Sequence, residues 1–295
     1  MNKLSPETRG RVVRSLVEGN SINSTCRITG VAQMTVLKLV ADVGTACAAL
    51  QDRWLRDLPS ERVQVDEMWS FCGMKQKNVP QDKRGTFGYG DVWTWIAIDA
   101  DTKLVITWLV ADRSQTSASQ FMIDLASRLR NRVQVTTDGY LPYRLAISAF
   151  KQNVDYAQLV KIYADPIKED RRRYSPSRYI SSEIHKLVGD PDEAHISTSY
   201  AERNNLNVRM MMRRMTRLTN AFSKKVENHS HQHAINFAYY NFCRMHKTLR
   251  CTPAMAAGIT ASPWDVDDLV YITDEHEIMS NWDLRTILPP HPHVA

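Results

Sequence analysis

Pro59 divides the chain into two hydrophobic rhythms, and that division limits the possible folds more than composition does. Ahead of it, apolar residues recur at helical spacing. Ser5 can cap a helix with Pro6 at its first position, and Val12, Val13, Leu16 and Val17 make one face ending at Gly19. Ile22 and Cys26 stand four apart in a second helix that stops at Gly30. A third helix turns Ala32, Val36, Leu37 and Val40 inward and leaves Gln33, Met34, Thr35 and Lys38 outward. Two short helices across a Gly-containing turn form a helix-turn-helix pattern, whose second helix suits a major groove. Gln33, Thr35 and Lys38 are then the candidate DNA-binding residues, since Gln and Lys can read base edges. An ordinary three-helix cap fits the same pattern. Residues 46–58 read as a connecting amphipathic helix.

Beyond Pro59 the apolar residues alternate. Val63 and Val65 lead into a first strand, QVDEMWSF, followed by a polar loop from Gly73 to Gly90. VWTWIAID at 92–99 and LVITWLV at 104–110 are joined by the turn ADTK, which predicts a hairpin. Residues 117–130 are helical, with Phe121, Leu125 and Leu129 on one stripe. Val133 and Val135 begin a fourth strand that runs into Thr137, Asp138 and Gly139; a short helix at 146–150 and a fifth strand at 159–164 follow. Strands in hairpin order, then helix–strand–helix–strand, predict a mixed α/β layer. Residues 165–199 form a polar insertion with the basic run KEDRRRYSPSR, read as a solvated loop or a flap on a phosphate backbone.

Tyr200–Leu218 contains neither Pro nor Gly and predicts one long helix. On it Glu202, Arg209 and Arg213 share a direction, because steps of seven and eleven residues return to within about 20°. An acid followed by arginines on one face suits a site that holds a metal ion and grips phosphate. Taken alone, the stretch is more simply a dipole-favoured Glu ahead of a solvated basic face, so the rest of the chain must decide. The chain's net charge of +6 is concentrated: residues 200–250 hold 10 Lys+Arg against 2 Asp+Glu, whereas 261–295 hold 1 against 7. A basic block beside an acidic tail points to a polyanion partner and a tail able to shield the same surface.

Several alternatives drop out. The five scattered cysteines include no CxxC pair, which argues against a zinc ribbon or a disulfide frame. In HSHQH, His231 faces away from His229 and His233, leaving only a pair, and no metal is expected there. No apolar run approaches a membrane span, and no secretory leader follows the start MNKLSPETRG, so a cytoplasmic, nucleoid-associated location is expected.

Asp66 lies inside an apolar strand, where an ionised acid must be neutralised, paired or bound to metal. Three acids a few ångströms apart would call for divalent cations, as in two-metal phosphoryl chemistry. VQVDEMWSFCGMKQKN, TTDGYLPY and SYAERNNLNVRMMMRRMTRLTNAFSKKVENH resemble the three motif blocks of the insertion-sequence-one family of transposases, within the Asp-Asp-Glu superfamily. The resemblance covers roughly residues 60–260 and implies an α/β, ribonuclease H-like five-stranded sheet flanked by helices. It puts Asp66, Asp138 and Glu202 in the places of the catalytic, metal-binding acids. It further implies two Mg²⁺ ions, for which Mn²⁺ can substitute, cleavage at transposon ends, joining to target double-stranded DNA, and a homo-oligomer on that DNA. The family's zinc-binding cysteine module has no counterpart here, and the Asp138–Glu202 interval is longer than is usual, by the 165–199 insertion. The expected organisation is a helix-turn-helix domain at 1–45, a linker at 46–60, a catalytic domain at 61–260 and an acidic tail at 261–295. Two rivals stay open. One is an inactive or domesticated DNA-binding or regulatory protein of the same fold. The other is a tyrosine recombinase built on His246, Arg250 and Tyr271.

Overall fold

The computed structural model describes residues 3–164, 179–217 and 219–280. Three helices come first: α1 (Pro6–Val17), α2 (Ile22–Thr29) and α3 (Gln33–Trp54). The side chains of Ser5 and Ser21 cap the first two, and Gly30 ends α2 at a φ of 74°, a left-handed conformation that a side chain disfavours. The expected third and connecting helices are one continuous helix. Nothing between Ala41 and Trp54 breaks it, and its buried side runs on through Val43, Ala46 and Cys47. By length and composition α3 is apolar enough to cross a bilayer. Its apolar side instead meets two helices of the same chain, α7 (Val226–Ala238) and α9 (Val266–Ser280).

The sheet comprises β1 (Arg62–Cys72), β2 (Gly90–Asp99), β3 (Val105–Ala111), β4 (Val133–Thr137), β5 (Val154–Tyr163) and β6 (Tyr179–Val188), in the order β3-β2-β1-β4-β5-β6. β1, β2 and β3 form an antiparallel meander; β4 pairs parallel to β1 and to β5; β6 returns antiparallel along β5. This mixed sheet with helices on both faces is the ribonuclease H-like fold, with six strands instead of the expected five. The additional strand lies within the presumed 165–199 loop. It pairs along almost all of β5 while leaving its side chains largely exposed, so sequence hydrophobicity gave no sign of it. The basic run at 168–178 lies outside the described residues.

One face of β1 and β2 packs Val63, Val65, Trp95 and Ala97 against α4 (Gln115–Arg128) and α5 (Tyr143–Ala146). The other packs Met68 and Ile96 against Val208 and Met212 of α6 (Ser199–Met211) and its following turn, and against Phe237 of α7. The expected single helix over Tyr200–Leu218 is corrected: α6 ends at Met211, Met212 is extended, and Arg213–Met215 make a short 3₁₀ turn. Arg209 bridges the break by donating to the Met215 carbonyl at 3.2 Å. α7 runs into a π turn at Tyr239–Cys243, and α8 (Pro253–Ala256) is capped by Thr252.

The expected loose acidic tail is also corrected up to residue 280. Leu269 and Val270 of α9 are buried, and Arg9 holds both Asp274 oxygens at 2.6 and 2.8 Å. Asp265 and Asp267 pair with Arg14. The acids of this segment thus neutralise α1 rather than the basic stretch at 200–250. Residues 281–295 lie outside the described residues.

Candidate active site

β1 and β4 pair in parallel only through Arg62↔Gln134, Val63↔Val135 and Gln64↔Thr136, and then part. Extending that register by two residues would set Asp66 opposite Asp138, so both acids stand where the strands diverge. The crevice at the carboxyl end of a strand, where connections leave in opposite directions, is where open α/β sheets place ligands.

Asp66 points to the α6 face. Its Oδ1 accepts the Glu67 backbone N–H at 2.8 Å and its Oδ2 accepts the Asn205 amide at 2.7 Å. Burial, followed by repulsion from Glu67 and Asp138, pushes its carboxyl up to about 8. Asp138, just past β4, accepts the Tyr140 N–H at 3.0 Å and keeps 40% of its side chain in solvent. Burial also raises its pKa, the Arg113 guanidinium 3.9 Å away opposes the shift, and Glu202 adds to it. One oxygen from each of Asp66, Glu67 and Asp138 lies within 4.8 Å of the others.

Glu67 belongs to that triad by distance but not by availability. The next residue along a strand faces the other way, and Glu67 is buried between Arg113, at 2.6 Å, and the Tyr143 hydroxyl, at 2.7 Å. Arg113 also stacks over Trp93 and Tyr140, with 4.5 and 4.1 Å to the ring centroids. Glu67 therefore anchors the wall of the site.

Glu202 arrives from α6, which β1 itself positions. Gln64, two residues before Asp66 and on the same face, accepts the Tyr200 and Ala201 N–H groups at 2.7 and 3.2 Å. This supplies the N-terminal cap that Thr198 does not provide. One turn on, Asn205 reaches Asp66. Glu202 thus overlooks the two aspartates closely enough to raise both of their pKa values. Its own Oε1 is taken by the Lys161 ammonium and by the Thr198 hydroxyl at 2.7 Å.

The donor set fits a hard divalent cation in part. Asp66 and Asp138 offer converging carboxylate oxygens of the type Mg²⁺ takes, and their mutual repulsion is what such an ion would relieve. Glu202 lies outside that cluster, with its Oε1 engaged by Lys161 and Thr198.

The expected DNA-contacting residues fall in three places. Gln33, Thr35 and Lys38 are exposed on the first turns of α3 beside a 74% exposed Met34; Gln33 donates to Asn23 at 3.1 Å and Lys38 pairs with Asp42 at 2.6 Å. Arg209 donates to the Trp69 carbonyl of β1 at 3.3 Å as well as to Met215. Arg213 is exposed but lies past the helix end, which corrects its expected place on the same helical face. Sequence reasoning missed Gln64, Asn205, Lys161, Arg113 and Tyr143. Only Asn205 carried a signal, standing three residues after Glu202 and hence on its face.

In the HSHQH cluster, His229 and His233 are buried. His229 lies between Ser223 and Ser70, at 2.8 and 3.3 Å; His233 donates to the His229 carbonyl at 2.9 Å and meets Thr94 at 3.1 Å. Burial, reinforced by the neighbouring Arg214, holds His233 down at about 4 and His229 well below its ordinary value, so both pack as neutral rings.

No family model matches this chain, and no curated protein is similar in sequence. Among solved structures it overlaps the piggyBac transposase synaptic complex with hairpin DNA at 10% identity, covering all of this chain and 79% of that one with a TM-score of 0.45. A Mos1 transposase paired-end complex with the left transposon end overlaps at 14% identity, 52% and 58% coverage and a TM-score of 0.21. The Mos1 mariner paired-end complex with Mn overlaps at 13% identity, 52% and 56% coverage, and a TM-score of 0.21. These are loose overlaps, and the functional reading rests on the site's own geometry.

Proposed function

We propose that the chain is a metal-dependent DNA transposase of the Asp-Asp-Glu type. Residues 1–45 would bind the ends of a mobile element, and Asp66, Asp138 and Glu202 would serve cleavage of the DNA and joining of its 3′ ends to a target. The observation that carries this is the convergence of Asp66 and Asp138 at the parting of β1 and β4, with Glu202 set over them by Gln64 and Asn205. A buried Asp66 whose pKa is raised by burial and by the charges of Glu67, Asp138 and Glu202 makes a poor resting arrangement unless a divalent cation belongs beside it.

Asp66 and Asp138 would hold Mg²⁺ or Mn²⁺, with Glu202 as the third ligand. The ions, when bound, lower the pKa of an attacking water or 3′-hydroxyl and stabilise charge on the phosphate. The chain's own part is orientation. Asn205 fixes the Asp66 rotamer, the Tyr140 N–H fixes that of Asp138, and Arg113 braces the opposite wall through Glu67. The likeness to the insertion-sequence-one family remains a resemblance of motifs; assembly as a homo-oligomer on DNA and a cytoplasmic location belong to this same proposal.

The test is strand transfer with labelled element ends in Mg²⁺ or Mn²⁺. Asp66→Asn, Asp138→Asn and Glu202→Gln should each abolish cleavage while end binding persists, since each amide keeps the shape and removes the charge. Turnover retained by any one of them removes that residue from the site. A second reading draws on the Lys161–Glu202 pair: a DNA-binding regulator whose third acid is permanently occupied. It predicts end binding with no cleavage in either metal, and no gain of cleavage in Lys161→Met.

A further inference from the structure

β1 continues past the acids. Trp69 and Phe71 follow Glu67 on the same face of the strand. Their ring centroids lie 5.9 Å apart, and Phe222, from the loop before α7, lies 4.7 Å from Phe71. All three rings are half-buried, and none joins either apolar cluster of the core. Cations flank the row at both ends. Arg113 stacks on Trp93, which stands opposite Trp69 across the strand pair, and the Lys224 ammonium sits 3.5 Å from the Phe222 centroid. Beyond Phe222 opens a cleft of about 530 Å³, between the first turn of α2 and the loop after α6, where Arg213, Lys224 and Lys225 are exposed.

The row starts beside the acid cluster and ends at a basic cleft. Its π-faces and cations define what fits. An apolar protein surface would match the rings but leave the exposed Arg213, Lys224 and Lys225 unanswered. A duplex would match the cations but keep its base faces stacked inside. An unpaired strand presents a π-face and a phosphate with every nucleotide. From Glu67 to Phe71 is roughly 13 Å at the rise of a β-strand, the reach of about three or four nucleotides.

We propose that Trp69, Phe71 and Phe222 form a stacking platform for the bases of an unpaired DNA strand. It leads from Glu67, the wall residue whose carboxylate lies within 4.8 Å of those of Asp66 and Asp138, to the cleft, where Arg213, Lys224 and Lys225 take the phosphates. The proposal rests on the DNA-processing reading and adds to it a strand opened next to the cut.

The test is equilibrium binding by the full chain, in EDTA so that no cleavage intervenes, of a fluorescein-labelled oligothymidine and of a duplex of equal length. Phe71→Leu and Phe222→Leu together should weaken oligothymidine binding about tenfold, the scale of one lost base–ring contact. Duplex binding should change less than twofold, and Phe71→Tyr should bind like the parent. Phe222→Leu alone, placed in a loop, gives a variant whose fold is not at risk and should lose a smaller share. Equal losses for both DNA forms, or none for either, would overturn the platform while leaving the acid site untouched. A parent chain that binds neither form would overturn the platform and the DNA-processing reading together, and a parent that binds only duplex would overturn the platform alone.

Discussion

Asn205 has one visible task at the site, donating its amide to Asp66 while its own carbonyl oxygen is buried without a partner. Groups that orient a metal-binding carboxylate in this way typically matter by about 10- to 100-fold in affinity or activity. Asn205→Ala should therefore lower cleavage by that amount, with a raised Mg²⁺ requirement and unchanged end binding. A loss cured by more metal identifies positioning; a loss of folded protein would mean that Asn205 only packs. Glu67 makes the contrasting case. Glu67→Gln leaves Arg113 beside a neutral amide and should cost about 2 kcal/mol of stability, at the lower end for a charged pair because part of Arg113 stays in water. Thermal unfolding measures it. Asp66 and Asp138 were legible from sequence because an acid inside an apolar strand and an acid at a strand's end are local anomalies. Lys161 and Arg113 were not, since each meets its acid only through pairing of distant segments.

Among the elements, helices and strands with one buried face could be read directly, and elements lacking that asymmetry could not. β6 exposes nearly every side chain, and α6 stops inside a run of good helix formers because Met212 and Met215 turn into the cluster with Met68 and Phe237. The α3–α7 crossing shows how close two helices can come. A Cβ on Gly44 would lie 2.5 Å from that of His231, so Gly44→Ala should cost about 1–3 kcal/mol through overpacking, read as a lowered Tm. α7 also brings a pH dependence. His229 and His233 have folded-state pKa values below the ordinary 6.5, so the unfolded chain binds more protons once pH drops beneath that value. Their contribution is complete above pH 6.5 and is lost as pH falls toward about 4, with a slope of up to about 1.4 kcal/mol per pH unit for each ring. Denaturant titrations from pH 7 to 4.5 should show that slope, and His233→Gln should flatten it.

At the scale of the molecule, the N-terminal helices and the sheet share one apolar cluster in which Val36 and Val43 sit with Val65 and Trp95. Removing residues 1–45 would cut α3 in half and strip α9 of its partner α1, so truncation would report on folding rather than recognition. The surface triple Gln33→Ala, Thr35→Ala and Lys38→Ala is the cleaner probe. It should abolish discrimination between element ends and random DNA in competition binding, with Tm unchanged. Preserved discrimination would move recognition away from α3.

The unbroken α3 also acts as a caliper. Its first turns, which carry Gln33, line the same cleft as Phe222 and Lys224, and its buried side shares one apolar cluster with the sheet, so the exposed face is held rigidly relative to the acids. For a chain that reads DNA with the first turns of α3 and cuts it at Asp66, no slack lies between reading and cutting. The offset from recognised bases to cut phosphate is then a property of the protein, fixed to the base pair. Element ends carrying five extra base pairs in that interval would turn the target bond to the far side of the duplex. They should bind normally and remain uncut, whereas a chain with a flexible joint would cut both.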